Sequence, residues 1–455
     1  MVVLMLLSVI PAAAMAEPLP KNNGYWGIWY MNQPSGNEYR YKYSGGMATY
    51  PQQHLPIAVY AEAPNKTFFC YGGVAKGERE LLHMVSYFDH ATGQVPRPTI
   101  LLNKQTDDAH ENPTMQIDRQ GYIWIFSSAH GSARPSYIHR SRQPFSVDDF
   151  LFIRKTNFSY AQPWRLPNQG FLFLHTRYAS GRGLFWMTSS EGVDWSEPQL
   201  QLLAKIALGD YQISWSDGVR IGTAFDYHPK PQGLNARTNL YYLETTDVGR
   251  TWRTVDGRIV QPPLTTPQNA ALVHDYESEK LLVYLKDLQF DARGRPVILY
   301  LTSRGHASGP SNDPRKWHTA HWSGDRWQIR RFTTSDHNYD HGSLYIEPDG
   351  TWRIIAPTDP GAQPYGTGGD MVLWSSRDEG RTWTKVKRLT HDGRHNHSYA
   401  RRPLNAHPDF YALWADGHAF QPSESSLYFT NRAGDYVWRL PVFMPGDSAR
   451  PEVAW

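Results

Sequence analysis

Along most of this 455-residue chain, apolar positions come in short runs and do not recur at helical spacing. The runs are rich in β-branched and aromatic residues and are cut by Gly, Asp, Asn and Pro, the pattern of strands joined by tight turns. Many of them pair as hairpins. Residues 115–118 lead through Arg119-Gln120-Gly121 into 122–126, and 345–347 lead through Pro348-Asp349-Gly350 into 352–355. The same reading pairs 211–214 with 220–223 and 270–273 with 280–284. The chain is therefore expected to be all-β.

Beyond some hairpins lies a second pattern. Residues 246–252 (TDVGRTW) and 376–383 (SRDEGRTW) are Asp-box turns of the sialidase-type propeller kind, and 189–195 (SSEGVDW) is a degenerate third. The acid caps backbone N–H groups, Gly takes the positive φ, and Trp plugs the blade. The residues that open the first strand of each hairpin are His54, His110, Tyr160, Tyr211, Asn269, His341 and Arg402. They recur every 50 to 72 residues, as four-stranded blades require. Seven registers predict a seven-bladed β-propeller with four-stranded antiparallel blades.

Composition narrows the class. A 40% hydrophobic content supports a large core, and 14% aromatic content suits both strands and sugar-binding surfaces. A net charge of +3, from 46 basic and 43 acidic residues, argues against a nucleic-acid partner held by bulk charge. Residues 1–16 (MVVLMLLSVIPAAAMA) read as an export signal ending in Ala14-Met15-Ala16, followed by one domain over 17–455. No later segment is apolar enough to span a bilayer, so a secreted or periplasmic bacterial protein, monomeric and free of membrane, is expected. Cys70 is the single cysteine; within Phe68-Phe69-Cys70-Tyr71 it reads as a buried, inert thiol.

Residues that enter the first strand of a blade and residues that leave its second share one face of a propeller. On that rule His110 and His130 come from one blade, Tyr160 and Arg177 from the next, and Tyr211, Tyr227 and His228 from a third. Asn112, Arg134, Arg220, Arg237 and Lys286 fall nearby. The group holds no central pair of carboxylates, which a glycosidase of the common type needs. No arginine triad of the sialidase type assembles either. Elimination at a uronate asks instead for a cation on the C6 carboxylate, a base for the C5 proton and an acid for the departing C4 oxygen. Arg suits the first task, and His and Tyr the other two.

At His110-Glu111-Asn112-Pro113, Ser128-Ala129-His130-Gly131, Tyr160-Ala161-Gln162-Pro163 and His175-Thr176-Arg177-Tyr178 the chain resembles the β-propeller ulvan lyases with BNR-type repeats, over about 25–440. The resemblance implies β-elimination on an anionic, uronate-containing polysaccharide. It implies Arg177 on the carboxylate, His110 and Tyr160 in base and acid work, and His130 assisting. Asn112, Tyr211, Arg220, Tyr227, His228 and Lys286 are expected to bind substrate, with Tyr211 and Tyr227 competing for a second tyrosine position. No cofactor is expected. Some such lyases carry a structural zinc with cysteine among its ligands. Here the pairs His337/His341, His395/His397 and His407/His418 are candidates for a metal, though none has a closed ligand spacing. A sialidase-like hydrolase and a non-catalytic carbohydrate-binding propeller are the alternatives.

Overall fold

The computed structural model describes residues 18–47, 53–178, 182–200 and 207–455. The export signal expected over 1–16 lies outside the described residues. No helix of the described residues is long and apolar enough to cross a membrane.

Seven antiparallel sheets follow one another along the chain. Their innermost strands are Ala58–Ala61, Pro113–Ile117, Ser159–Leu166, Gln212–Ser216, Leu282–Phe290, Ser343–Ile346 and Asn396–Arg401, which open blades 1 to 7. From blade 1 to blade 6 successive inner strands pack side by side around a channel, and that of blade 7 lies against the second strand of blade 6, as in a β-propeller. Most sheets have four strands; additional short strands extend those of blades 4 and 7. Apolar side chains of facing sheets fill the gaps between blades. Between blades 2 and 3, for instance, Trp124, Phe126, Phe158, Phe171 and Phe173 form one buried cluster.

The predicted turns between outer strands take up the expected hydrogen bonds. In blade 4 Asp247 accepts from the Thr251 N–H at 2.8 Å, and Thr245 Oγ1 accepts from Gly249 N–H at 2.9 Å. Gly249 has φ +86°, and Trp252 is buried beneath the turn. Asp378 and Ser376 repeat the arrangement in blade 6. Cys70 is buried in the second strand of blade 1, and burial pushes its thiol pKa well up.

Blade 5 corrects the sequence reading. Leu272–His274 does not pair with the strand that follows; it lies against Thr238–Thr245 of blade 4. The polar stretch 275–281 therefore joins two blades, although its composition is that of a hairpin turn. The innermost strand of blade 5 is Leu282–Phe290, so Lys286 and Asp287 lie within it and do not leave a second strand. In blade 7 Arg402 follows the inner strand, which the sequence reading has it open.

Two further devices complete the ring. Leu404, just after the inner strand of blade 7, bridges Val59 of blade 1 in parallel, with N–H···O contacts of 2.9 and 2.8 Å. A hairpin ahead of the ring, Trp29–Pro34 with Tyr41–Gly46, lies across the mouth on the side of blades 4 to 7. Lys42 donates to Asn235, Ser308 donates to the Tyr41 carbonyl, Thr367 accepts from Ser44 N–H, and Trp29 donates to the His418 carbonyl.

Replacing Trp252 with Ala is expected to destabilise the fold by about 3–5 kcal/mol through the cavity it leaves. Asp247→Ala, which costs only turn hydrogen bonds, is expected to cost about 1 kcal/mol. Urea unfolding of both variants checks this ordering, which the turn-and-plug account requires.

Candidate active site on one mouth of the channel

The local chain folds so that two imidazoles meet one carboxylate. Asp108 is the N-cap of the short 3-10 turn Ala109–Glu111, and its Oδ1 accepts the His110 backbone N–H at 3.0 Å. That cap holds Asp108 directly beside its own loop and at the exit of the next strand. Oδ1 also accepts from His110 Nδ1, and Oδ2 accepts from His130 Nδ1 at 2.6 Å. The two rings stack, with centroids 4.1 Å apart. Burial alone would raise the Asp108 carboxyl, but the facing His110 and His130 hold it well below the usual carboxylate range. Burial lowers the His110 pKa, against the pull of Asp108. His110 is 2% exposed, whereas the His130 side chain is 33% exposed.

A carboxylate only accepts, so each imidazole carries a proton on Nδ1. In its neutral form His130 then presents an unprotonated Nε2. That geometry is the one a general base needs: the second nitrogen fixed by a carboxylate, the first open to a ligand.

Blade 3 supplies tyrosines. Tyr160 sits in a bulge between Ser159 and Gln162 with φ +52°, a left-handed conformation that a bulky residue takes only where packing imposes it. The distortion turns its ring toward the mouth, 6.3 Å from His110 and 5.8 Å from Tyr211 between centroids. Tyr178 closes the second strand of the blade. Its ring meets His130 edge-on at 5.9 Å, and its hydroxyl lies in the electrostatic reach of Arg182 and Tyr211. Burial raises the Tyr178 pKa, with Arg182 opposing, so the phenol keeps its proton.

The cation of this cluster is Arg182. It donates to Tyr211 Oη at 2.9 Å and to His228 Nδ1 at 2.6 Å. No carboxylate lies within ion-pair distance of it among the described residues. Burial works against its charge, but the phenols of Tyr211, Tyr178 and Tyr160, with the buried Asp210 beyond ion-pair distance, outweigh that and hold its pKa above the ordinary value. Behind it His228 is kept neutral, its pKa driven well down by burial and then by Arg182, Arg237 and Lys42. Arg237, at the end of a 3-10 turn, stacks over Tyr211 and Tyr284 and donates to Tyr339 at 3.0 Å.

The predicted residues divide accordingly. His110, His130, Tyr160, Tyr211 and His228 come together. Arg177 lies on the other side of its strand from Tyr178, over the Phe185 ring at 6.0 Å, without an ion pair among the described residues. Of the two competing tyrosines, Tyr211 faces the cluster, while Tyr227 turns outward and donates to Glu277. Arg220 is at the far end of its blade, paired with Asp217 at 3.2 Å and Glu244 at 3.5 Å. Lys286 is buried between blades 5 and 6, donating to the Asn338 carbonyl at 2.7 Å. Asn112 packs against blade 1, where a Cβ at Gly72 would meet its Oδ1 at 1.8 Å. Arg134 and Lys104 together neutralise the buried Glu111. Sequence reasoning missed Asp108, Tyr43, Tyr178 and Arg182. Asp108, two residues before His110, was legible as a helix-cap acid; nothing in the sequence marks Tyr43.

A cavity of about 710 Å³ opens at the opposite mouth, lined by Gln116, Trp164, Trp215, Gln289, Tyr345 and Arg402, and contains none of these residues. Outside the cluster, His90, His407 and Asp409 bring metal-ligand atoms together, as do Asp392, His395 and Asp416. Of the expected metal pairs, His337/His341 and His407/His418 enter no such group as pairs among the described residues, and His397 is replaced beside His395 by Asp392 and Asp416.

The fold and site define a seven-bladed propeller that carries a carboxylate, imidazole, phenol and guanidinium centre on one mouth of its channel. The chain belongs to the BNR repeat-containing family, whose pattern matches residues 94–335. It is similar to the ulvan lyase of Nonlabens ulvanivorans, 23% identical over 67% of this chain and 70% of the relative. It is similar also to the ulvan lyase of Alteromonas sp. (strain LOR), 23% identical over 68% of this chain and 69% of the relative. Among solved structures, a PL25 ulvan lyase bound to -[GlcA(1-4)Rha3S]- superposes with a TM-score of 0.70 at 17% identity, over 91% of this chain and 96% of that one. That likeness shows the fold.

One buried acid behind the site gives a measurable pH dependence. Burial raises Asp226, which accepts the Tyr211 backbone N–H at 2.8 Å, to about 7. The folded state therefore holds a proton that the unfolded state gives up near the ordinary carboxyl value of about 4. This contribution to stability is full below about 4 and is lost as the pH rises toward 7. Asp226→Asn is expected to flatten the fall in urea midpoint between pH 5 and 7.5; an unchanged slope would refute the assignment.

Proposed function

We propose that this chain is an exported polysaccharide lyase that cleaves an acidic, uronate-containing polysaccharide of the ulvan kind by β-elimination, as a monomer and without a cofactor. The observation that carries the reading is His130, oriented by Asp108 with Nε2 open, beside the protonated Tyr178 and Arg182, which has no ion pair among the described residues. The curated relatives named ulvan lyases support the substrate class.

In this reading Arg182 binds the C6 carboxylate of the uronate. Charge neutralisation there stabilises the carbanion character that develops at C5. His130 Nε2 takes the C5 proton. The Tyr178 hydroxyl gives its proton to the glycosidic oxygen as the C4–O bond breaks, and a C4–C5 double bond forms. Tyr160 packs beside Tyr211 and His110 at the rim of the centre, and Tyr211 and His228 aim the guanidinium. His110 is the inner imidazole that shares Asp108. This reading differs from the roles implied by resemblance in three places: His130 in place of His110 as base, Tyr178 in place of Tyr160 as acid, and Arg182 in place of Arg177 as cation, because Arg177 lies over Phe185.

The test is absorbance. Elimination leaves a double bond conjugated with the carboxylate, so digestion of ulvan is expected to raise near-ultraviolet absorbance in step with chain cleavage. Cleavage with new reducing ends and no such absorbance would favour hydrolysis; binding without cleavage would favour a recognition propeller. His130→Ala and Arg182→Ala are each expected to lower kcat by at least ~100-fold. Arg177→Ala is expected to stay within about 3-fold of the parent, since it removes no contact of the centre. Incubation with a chelator is expected to leave the initial rate unchanged.

A further inference from the structure

The hairpin ahead of the ring reaches the centre through Tyr30, whose ring meets His110 edge-on at 5.5 Å, and through Tyr43. Tyr43 Oη lies 2.8 Å from His110 Nε2, so both nitrogens of the buried imidazole are engaged. The Asn32 Oδ1 accepts the Gln33 backbone N–H at 2.7 Å, which turns the amide NH2 toward Tyr43. That NH2 donates to Tyr43 Oη at 2.6 Å. Nδ1 gives its proton to the Asp108 carboxylate and burial disfavours the charged ring, so Nε2 carries no proton and accepts from the Tyr43 O–H across the 2.8 Å contact. Asp108 spends one oxygen on His110 and has the other for His130. The chain of donation runs Asn32 to Tyr43 to His110 to Asp108, and meets His130 there from the other side.

We infer that Asn32 and Tyr43 are positioning residues: acting on Nε2 from the side opposite Asp108, they help to hold His110 in its Nδ1–H tautomer, and so steady the Asp108 carboxylate that orients His130. This deepens the lyase reading and rests on it for its kinetic consequence, but not for the proton positions. The hairpin is well anchored for the task. Besides the contacts of Lys42, Ser44 and Tyr41 with blades 4 to 6, Ser44 O accepts from Tyr399 Oη at 3.1 Å, and the Tyr43 ring packs on Tyr339 with centroids 4.9 Å apart. Sheet packing thus fixes a hydroxyl over an imidazole that comes from a blade more than sixty residues later.

Two substitutions probe the direction of the chain. Tyr43→Phe removes the donor to Nε2 and keeps the ring. Asn32→Asp replaces the NH2 donor by an acceptor, so the Tyr43 O–H turns to the new carboxylate and its lone pair faces His110 Nε2. That nitrogen is then expected to take up a proton, leaving His110 charged with both nitrogens donating. Imidazole ¹⁵N NMR of the full chain, with the His110 signals assigned by a His110→Gln variant, reads the result directly. In the parent protein Nδ1 is expected to show a pyrrole-type shift and Nε2 a pyridine-type shift. In Asn32→Asp both are expected to move to the imidazolium range at the same pH. With uronate polymer as substrate, Tyr43→Phe is expected to lower kcat about 10-fold with KM within 2-fold, the scale of loss when one partner of a buried hydrogen bond is removed.

A parent protein whose His110 carries its proton on Nε2, or an Asn32→Asp spectrum identical to the parent's, would overturn the inference even if the chain is an active lyase. A Tyr43→Phe variant with unchanged kcat would overturn it as well. The predicted ring shifts in a chain that cleaves no uronate polymer would instead uphold the proton positions and refute the lyase reading.

Discussion

A ring of blades has no free edge only if its last blade meets its first. Here that meeting is made by Leu404 against Val59, where backbone groups of blade 7 pair with those of blade 1. The ends of the chain reinforce it. Tyr25 donates its backbone N–H to Pro441 at 2.8 Å, and Ser448–Ala449 pairs with Val95–Pro96 in blade 1. Everything functional depends on this closure, because the centre is drawn from blades 2, 3 and 4 together with a hairpin that leans on blades 4 to 7. An open stack of sheets would leave Tyr43 nowhere near His110.

Within that frame one carboxylate organises the chemistry. Asp108 is at once a helix cap, the acceptor of two imidazoles and the reason each ring carries its proton on the inner nitrogen. Taking such a charge from water is costly, and three N–H donors offset the cost. Around it the environment separates two imidazoles of the same type. The inner His110 is enclosed and depressed by burial, and the outer His130 has an open nitrogen. Arg182 is served in the opposite way, by neutral or weakly acidic partners that leave its charge available to a ligand.

The strand pattern, the turn chemistry at 246–252 and 376–383 and the number of blades were legible because they rest on local signals: a turn residue or an alternation acts within a few positions. The error at blade 5 has the same origin. Residues 275–281 have hairpin composition, but whether a turn stays inside a blade or crosses to the next depends on which strand already occupies the sheet edge, here Thr238–Thr245. The blade rule also found His110, His130, Tyr160, Tyr211 and His228 on one mouth. It failed for Arg177, since one residue along a strand reverses the face, and it is Tyr178 that turns inward.

By itself, then, the sequence determined an all-β ring of repeats and the blades whose histidines and tyrosines share a mouth, because period and turn chemistry are short-range properties. Only the tertiary structure decided which nitrogen is open, which arginine meets the phenols and that a hairpin from outside the ring completes the centre. Those depend on the register of side chains across a channel, between Asn32 and His130 or between Arg182 and His228, where distance along the chain carries no information about distance in space.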